Sequence, residues 1–163
     1  MNKKNMNIGD KFPDLLGKDA DGKEIRLSDY PGKKFIIYFY PKDSTPGCTA
    51  EACNLRDAMP DFTNLGYQII GVSKDSEESH RKFAAKYELP FPLVADTELT
   101  LCNIAGVWQQ KKMAGREYFG IVRTTFVTDE SGTVTDIIKK VKTKDASNQL
   151  FELIGDRDDI NPA

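Results

Sequence analysis

The most constraining feature of this sequence is the stretch of residues 35–53. It opens with an unbroken apolar and aromatic run, residues 35–40, which has the length and composition of a strand buried on both faces. Pro41 ends that run. Thr45 and Pro46 then mark a helix start, because threonine can cap a helix and proline suits the first helical position. The stretch therefore predicts a buried strand, a sharp turn and the first turns of a helix.

Cys48 is predicted to lie in the first turn of this helix. The backbone N–H groups of a first turn have no partners within the helix, and this end of a helix carries partial positive charge. Both features stabilise a thiolate, which is the nucleophilic form of cysteine. Cys48 is therefore predicted to be a reactive nucleophile. The alternative is an inert thiol that fills the joint between strand and helix.

Cys53 follows five residues later in the same predicted helix. Apolar residues recur at helical spacing after Cys48, so Cys48 faces the core and Cys53 lies off the apolar stripe. In a regular helix, residues five apart have Cα atoms about 8.6 Å apart, whereas a disulfide needs about 4.4–6.8 Å. A bond between the two cysteines therefore requires the first turns to unwind. The alternative for Cys53 is a second inert thiol.

The run Pro-Gly-Cys-Thr-Ala-Glu-Ala-Cys, residues 46–53, resembles the active-site segment of the peroxiredoxins. More narrowly, it resembles the bacterioferritin comigratory protein group, also called peroxiredoxin Q. The similarity continues along nearly the whole chain, in residues 9–13, 71–73, 79–80, 89–91 and 120–126. The chain departs from the group at two places. Relatives commonly carry Gly-His where this chain has Lys144-Asp145, and Pro60 interrupts a helix that is usually free of proline.

The alternation of strand and helix patterns predicts an α/β fold, with a mixed central sheet flanked by helices and an N-terminal hairpin. The resemblance implies the thioredoxin-like fold in its peroxiredoxin form. A length of 163 residues suits a single domain, 1–163, with a polar tail, 155–163, that is expected to fray. The predicted elements are a hairpin at 12–30, strands at 35–40, 67–73, 93–95, 122–128 and 133–139, and helices from Pro46 onwards and at 75–87, 97–105 and 146–154.

Two regions give weaker signals. Pro60 is expected to kink the first helix or end it early, since proline lacks the N–H that a helix interior needs. Residues 106–119 show no clear periodicity, which predicts a loop or a short irregular strand.

Peroxide reduction needs hydrogen-bond donors fixed around the O–O bond, because one oxygen leaves with negative charge. The hydroxyl of Thr45 is near enough in sequence to touch both the thiolate and the peroxide. Arg123 interrupts an apolar run, and such an arginine is costly unless it is paired. Its alternative role is a charge paired with an acid such as Glu51. The resemblance implies that Pro41, Thr45, Cys48 and Arg123 form the peroxiredoxin catalytic set.

The resemblance also implies a reaction cycle. Peroxidatic Cys48 becomes a sulfenic acid on reducing hydrogen peroxide or an organic hydroperoxide, and resolving Cys53 condenses with it to an intramolecular disulfide. A dithiol reductant, usually thioredoxin in this family, restores both thiols, and no metal or organic cofactor is needed. The rival functions are a protein thiol-disulfide oxidoreductase, which normally needs Cys-x-x-Cys, and a redox-sensing or holdase module.

The composition, 39% hydrophobic and 29% charged, argues against disorder and against a membrane protein. A net charge of −2 gives no reason to expect nucleic acid or anionic lipid as a partner. The N-terminal residues contain no apolar core segment, so a cytoplasmic location is expected. Three cysteines argue against a disulfide framework. An intramolecular resolving pair makes a monomer sufficient, and a monomer is expected.

The remaining chemistry-bearing residues receive structural interpretations. His80 is the only histidine and lies in a polar helical stretch, so it is predicted to be solvated and cannot build a multi-histidine metal site. Cys102 lies beside Leu101, which predicts a buried apolar spacer. Its alternative role is a resolving cysteine in a variant cycle.

Overall fold

The computed structural model describes the backbone of residues 6–160 and the side chains of residues 6–155. Its strands are β1 (Leu15–Lys18), β2 (Glu24–Arg26), β3 (Lys34–Phe39), β4 (Tyr67–Ser73), β5 (Leu93–Ala95), β6 (Trp108–Met113), β7 (Arg116–Ile121), β8 (Thr124–Thr128) and β9 (Val134–Ile138). Its helices are α1 (Pro46–Asn64), α2 (Glu77–Tyr87), α3 (Thr100–Ala105) and α4 (Ala146–Ile160).

A mixed sheet in the order β5-β4-β3-β8-β9 forms the centre of the molecule. β3 lies in the middle, parallel to β4 and antiparallel to β8. Its residues from Phe35 to Phe39 are buried, as an apolar strand covered on both faces must be. One face of the sheet packs against apolar residues of α1, α2 and α4, and the other face packs against α3 and the hairpin β1–β2. The predicted α/β architecture with an N-terminal hairpin is confirmed.

Of the two outcomes predicted at Pro60, a kink or an early end, the early end is wrong, because α1 continues to Asn64. The turn that follows the proline is held by tertiary packing. Phe62 is fully buried, and its ring stacks on that of Phe151 in α4 with centroids 4.2 Å apart. Proline has no N–H, so the helix lacks one hydrogen bond at this position. The free energy gained by packing the two aromatic rings offsets that loss.

The prediction of a loop or irregular strand at residues 106–119 is also wrong. β6 and β7 pair over their whole length, from Trp108 opposite Ile121 to Met113 opposite Arg116. Ala114 and Gly115 both have positive φ, as a tight hairpin turn with right-handed strand twist requires. Most side chains of this hairpin are exposed, so no buried face imposes the alternating pattern that predicts a strand.

α4 also extends beyond its predicted end, to Ile160, so the helix includes most of the tail that was expected to fray. Residues 161–163 of that tail lie outside the described residues. Within the part of the chain that the structure describes, none of the helices has the length and apolar character needed to cross a bilayer.

Candidate active site

Cys48 lies where the sequence predicts it, in the first turn of α1 directly beyond the carboxyl end of β3. Residues 40–45, here called the active-site loop, connect the two elements. The thiol is almost completely buried, with 1% of the residue exposed, and it begins the apolar face that α1 turns to the sheet. The strand and helix thus carry the nucleophile to the carboxyl edge of the parallel strands, where α/β folds commonly place their sites.

Thr45 occupies the N-cap position of α1, but its hydroxyl does not cap the helix. The hydroxyl donates a hydrogen bond to the carbonyl of Lys42 at 2.9 Å, because a left-handed residue, Ser44 with φ 65°, turns the loop back on itself. Thr45 therefore occupies the predicted cap position, but the prediction that its side chain caps the helix is wrong. The bond fixes the direction of the hydroxyl, and the oxygen retains lone pairs that can accept a hydrogen bond from a peroxide.

Arg123, between β7 and β8, directly contacts Cys48. Its Nη2 lies 3.3 Å from Sγ, and its Nη1 donates to Oε1 of Glu51 at 2.7 Å. The two roles offered by the sequence, a catalytic group and an arginine paired with an acid, are therefore compatible. Burial opposes the guanidinium charge, but the Cys48 thiolate and the Glu51 carboxylate raise the pKa of Arg123 above its ordinary value. The guanidinium is thus held charged beside the sulfur.

Glu51 is fully buried in α1. Its sequence context indicated only a candidate ion-pair partner for Arg123. Among the described side chains, its second oxygen, Oε2, is one of the buried polar atoms that have no hydrogen-bond partner. Burial raises the pKa of Glu51 to about 7, although the neighbouring Arg123 lowers it. The site therefore contains a carboxyl group that titrates near neutral pH and contacts the thiol through the arginine.

Gly47 leaves the space that Arg123 occupies. A Cβ atom built on this glycine would lie 3.3 Å from Nη2 of Arg123. Real Cβ atoms rarely make contacts this short, so a side chain here would displace the guanidinium. Gly47 directly precedes Cys48 in the motif, but the sequence did not predict that its missing side chain makes room for Arg123.

The structure does not bring Cys53 to Cys48. Both thiols are free, and both lie in the uninterrupted helix α1, which keeps their Cα atoms about 8.6 Å apart. Cys53 is partly exposed. A disulfide between them requires the first turns of α1 to open, as the sequence predicts.

Pro41 and Cys102 differ in exposure. Pro41 is half-buried in the active-site loop, beside the buried Tyr40. Cys102 is fully buried, as predicted for a spacer, and burial together with a hydrogen bond to Asp96 raises the pKa of its thiol far above the ordinary range. A thiol that stays protonated and enclosed is unsuited to resolving a sulfenic acid.

The prediction for His80 is wrong, because the imidazole is fully buried. Nδ1 lies 2.6 Å from Oδ2 of Asp43, and Nε2 lies 3.0 Å from the carbonyl of Val94. Asp43 is 37 residues away in the sequence and belongs to the active-site loop. The polar neighbours of His80 predicted solvent, whereas its actual partners come from two other segments.

The chain is similar to known proteins over most of its length. The family model described as the AhpC/TSA family matches residues 8–137. The chain belongs to the AhpC/TSA family. Peroxiredoxin Bcp of Bacillus subtilis (strain 168) is 48% identical over 149 residues, which cover 91% of this chain and 95% of that protein.

Two solved structures agree with this relationship. A peroxiredoxin Q mutant of Xylella fastidiosa matches with a TM-score of 0.85 and 32% identity, covering 94% of this chain and 98% of that one. The bacterioferritin comigratory protein of Xanthomonas campestris, solved to explain its alkyl peroxide reduction activity, matches with a TM-score of 0.80 and 34% identity, covering 91% of this chain and 99% of that one. The predicted membership of the peroxiredoxin Q group and the thioredoxin-like fold are confirmed.

Membership of this family supports peroxiredoxin activity, with a peroxide substrate and a reductant as partners. The arrangement around Cys48 suits that chemistry. A thiol at a helix N-terminus and a charged guanidinium at 3.3 Å provide a nucleophile and a donor for developing negative charge.

Proposed function

We propose that this chain is a two-cysteine thiol peroxidase that reduces hydrogen peroxide and organic hydroperoxides at Cys48. The contact between Sγ of Cys48 and Nη2 of Arg123, at the start of α1, supports this proposal most strongly. The thiolate attacks one peroxide oxygen, an S–O bond forms, and the O–O bond breaks with its electron pair on the leaving oxygen. That oxygen takes up a proton and leaves as water or an alcohol. Arg123 stabilises its charge, and Thr45 orients the peroxide.

Cys53 resolves the sulfenic acid in the second step. Its thiolate attacks Sγ of Cys48, an S–S bond forms, and the S–O bond breaks to release water once a proton is taken up. Because α1 holds the two residues apart, its first turns unwind before this step. Both cysteines belong to one helix, so a monomer is sufficient. A dithiol protein of the thioredoxin type then reduces the disulfide with two electrons, and none of these steps requires a metal or organic cofactor.

The test is stopped-flow oxidation of the reduced protein by hydrogen peroxide, followed by intact mass and peptide mapping. We expect rapid loss of two thiols and a Cys48–Cys53 linkage. Cys48→Ser should abolish the reaction, and Cys53→Ser should allow one oxidation but block recycling by thioredoxin. Cys102→Ala is the matched control and should behave as the wild type. Slow oxidation of the wild type, or a linkage to Cys102, would contradict the proposal, as would insulin reduction without peroxide turnover.

A further inference from the structure

A buried pair of side chains outside the thiol site holds the active-site loop in place. Asp43 and His80 are 5% and 0% exposed. Nε2 of His80 lies 3.0 Å from the carbonyl oxygen of Val94 in β5. A carbonyl oxygen can only accept a hydrogen bond, so Nε2 carries a proton. The ring is therefore oriented by β5 so that its other nitrogen points at Asp43.

The hydrogen bonds around Asp43 favour a donor at the second ring nitrogen as well. The Asp43 carboxyl group receives a hydrogen bond from the hydroxyl of Tyr40 at 2.6 Å and another from the hydroxyl of Ser79 at 2.8 Å. Donors aimed at a carboxyl group favour its ionised form. Nδ1 of His80, at 2.6 Å, is the remaining donor to this carboxylate. The geometry thus pairs an imidazolium with a carboxylate, and the pair is enclosed by protein.

Asp43 is also held through its backbone. The N–H of Asp43 donates to Oδ2 of Asp75 at 2.8 Å, and Asp75 also accepts from Ser73 at 2.7 Å. Ser44 then adopts φ 65°, a backbone conformation that residues other than glycine rarely take. The next residue, Thr45, is the N-cap of α1. The bonds of Asp43 therefore set the turn that aims Thr45 and the first turn of the helix.

Asp43, Asp75 and His80 are also residue types that bind metal ions, and their ligand atoms lie within 4.8 Å of one another. The distances argue for an ion pair instead. Two ligands of a tetrahedral zinc, each about 2.0–2.1 Å from the ion, are separated by about 3.3 Å. Nδ1 and Oδ2 are 2.6 Å apart, which is a direct hydrogen bond with no space for an ion between them.

We propose that the Asp43–His80 ion pair is a positioning device for peroxide reduction, which fixes the active-site loop so that Thr45 and the first turn of α1 meet the O–O bond. This inference rests on the proposed function of Cys48. The proposed role predicts different effects on two reactions of the same thiol. Alkylation by a small electrophile needs only an accessible thiolate, whereas peroxide reduction also needs hydrogen-bonding groups held around the breaking bond.

The experiment compares these two reactions in Asp43→Asn and His80→Phe, with thermal unfolding to establish that each variant is folded. We expect the peroxide rate constant to fall about tenfold or more, as small misplacements of reacting groups do, while the rate of alkylation by iodoacetamide changes by less than about twofold. Asparagine can retain the hydrogen bond to a neutral ring, so Asp43→Asn should lose less activity than His80→Phe. Lys82→Ala, an exposed change in the same helix, is the control and should leave both rates unchanged.

The outcomes are distinct. Equal loss of both rates would assign the pair a purely structural role and overturn the inference, as would an unchanged peroxide rate. If the wild type itself reacts slowly with peroxide but normally with iodoacetamide, the proposed function fails instead.

A second measurement needs no variant. His80 is the only histidine, so a sample labelled with ¹⁵N-histidine gives a single ring in the NMR spectrum. We expect both ring nitrogens to carry protons, with the Nδ1 proton shifted far downfield by its short bond to Asp43. A neutral ring in the wild type would overturn the ion pair.

Discussion

Two buried ion pairs lie at the two ends of the segment from Asp43 to Glu51, and they differ in how completely they are bonded. In the Asp43–His80 pair, both ring nitrogens and both carboxylate oxygens have partners. In the Glu51–Arg123 pair, Oε2 of Glu51 has no partner among the described residues, and 21% of the arginine side chain is exposed. A fully bonded pair has no capacity for a further ligand, so it can only fix geometry. The incompletely bonded pair can still form a further hydrogen bond, and it is the pair that contacts the thiol.

The largest effect is expected where the incompletely bonded pair meets Cys48. Arg123→Ala removes the donor at 3.3 Å from Sγ, and the second-order rate constant with hydrogen peroxide should fall by about 10²–10³-fold, as for other lost donors to a developing anion. Arg123→Lys keeps the charge but cannot bond both neighbours in the same way, so it should restore only part of the rate. Stopped-flow kinetics measure the rate constants of both variants and of the wild type. A loss of less than about threefold would mean that the contact with the thiol is not used.

Glu51→Gln tests the unpartnered carboxyl group through stability. The pKa of Glu51 is raised from 4.5 to about 7 in the folded protein, so its contribution is present below about pH 4.5 and is lost as the pH rises through 7. Glutamine does not titrate in this range. Relative to the variant, the wild type should therefore lose on the order of 3 kcal/mol of unfolding free energy between these pH values. Denaturant titrations across this range measure the difference. Parallel curves for the two proteins would show that Glu51 has its ordinary acidity.

Gly47→Ala should have a smaller effect on the same pair. The new Cβ would lie 3.3 Å from Nη2 of Arg123, and relief of this contact moves the guanidinium by a few tenths of an ångström. We expect the peroxide rate to fall about tenfold with little change in melting temperature. Gly155→Ala is the matched control, since that helical glycine has open space around its Cβ position. An unchanged rate in Gly47→Ala would show that the guanidinium has room to shift without loss.

Sequence reasoning succeeded where the determining interactions are local. The run from Phe35 to Tyr40 identified β3, and the strands at 67–73 and 93–95 were placed with their observed bounds. It failed where partners are distant. His80 was predicted to be solvated because its neighbours in α2 are polar, and the hairpin β6–β7 was missed because most of its side chains are exposed. In both cases the structure depends on contacts that local periodicity does not encode.

The sequence by itself determined that a buried strand delivers Cys48 to the start of a helix, because proline, threonine and apolar spacing act over a few positions. Only the tertiary structure decided what surrounds the sulfur. Arg123 reaches Cys48 across 75 residues of sequence, and His80 reaches Asp43 across 37. The protonation and charge of these groups depend on burial and on the partners that folding brings together. The sequence could therefore name the thiol and offer a pairing of Arg123 with Glu51 as one of two alternatives, but it gave no sign of the Asp43–His80 pair.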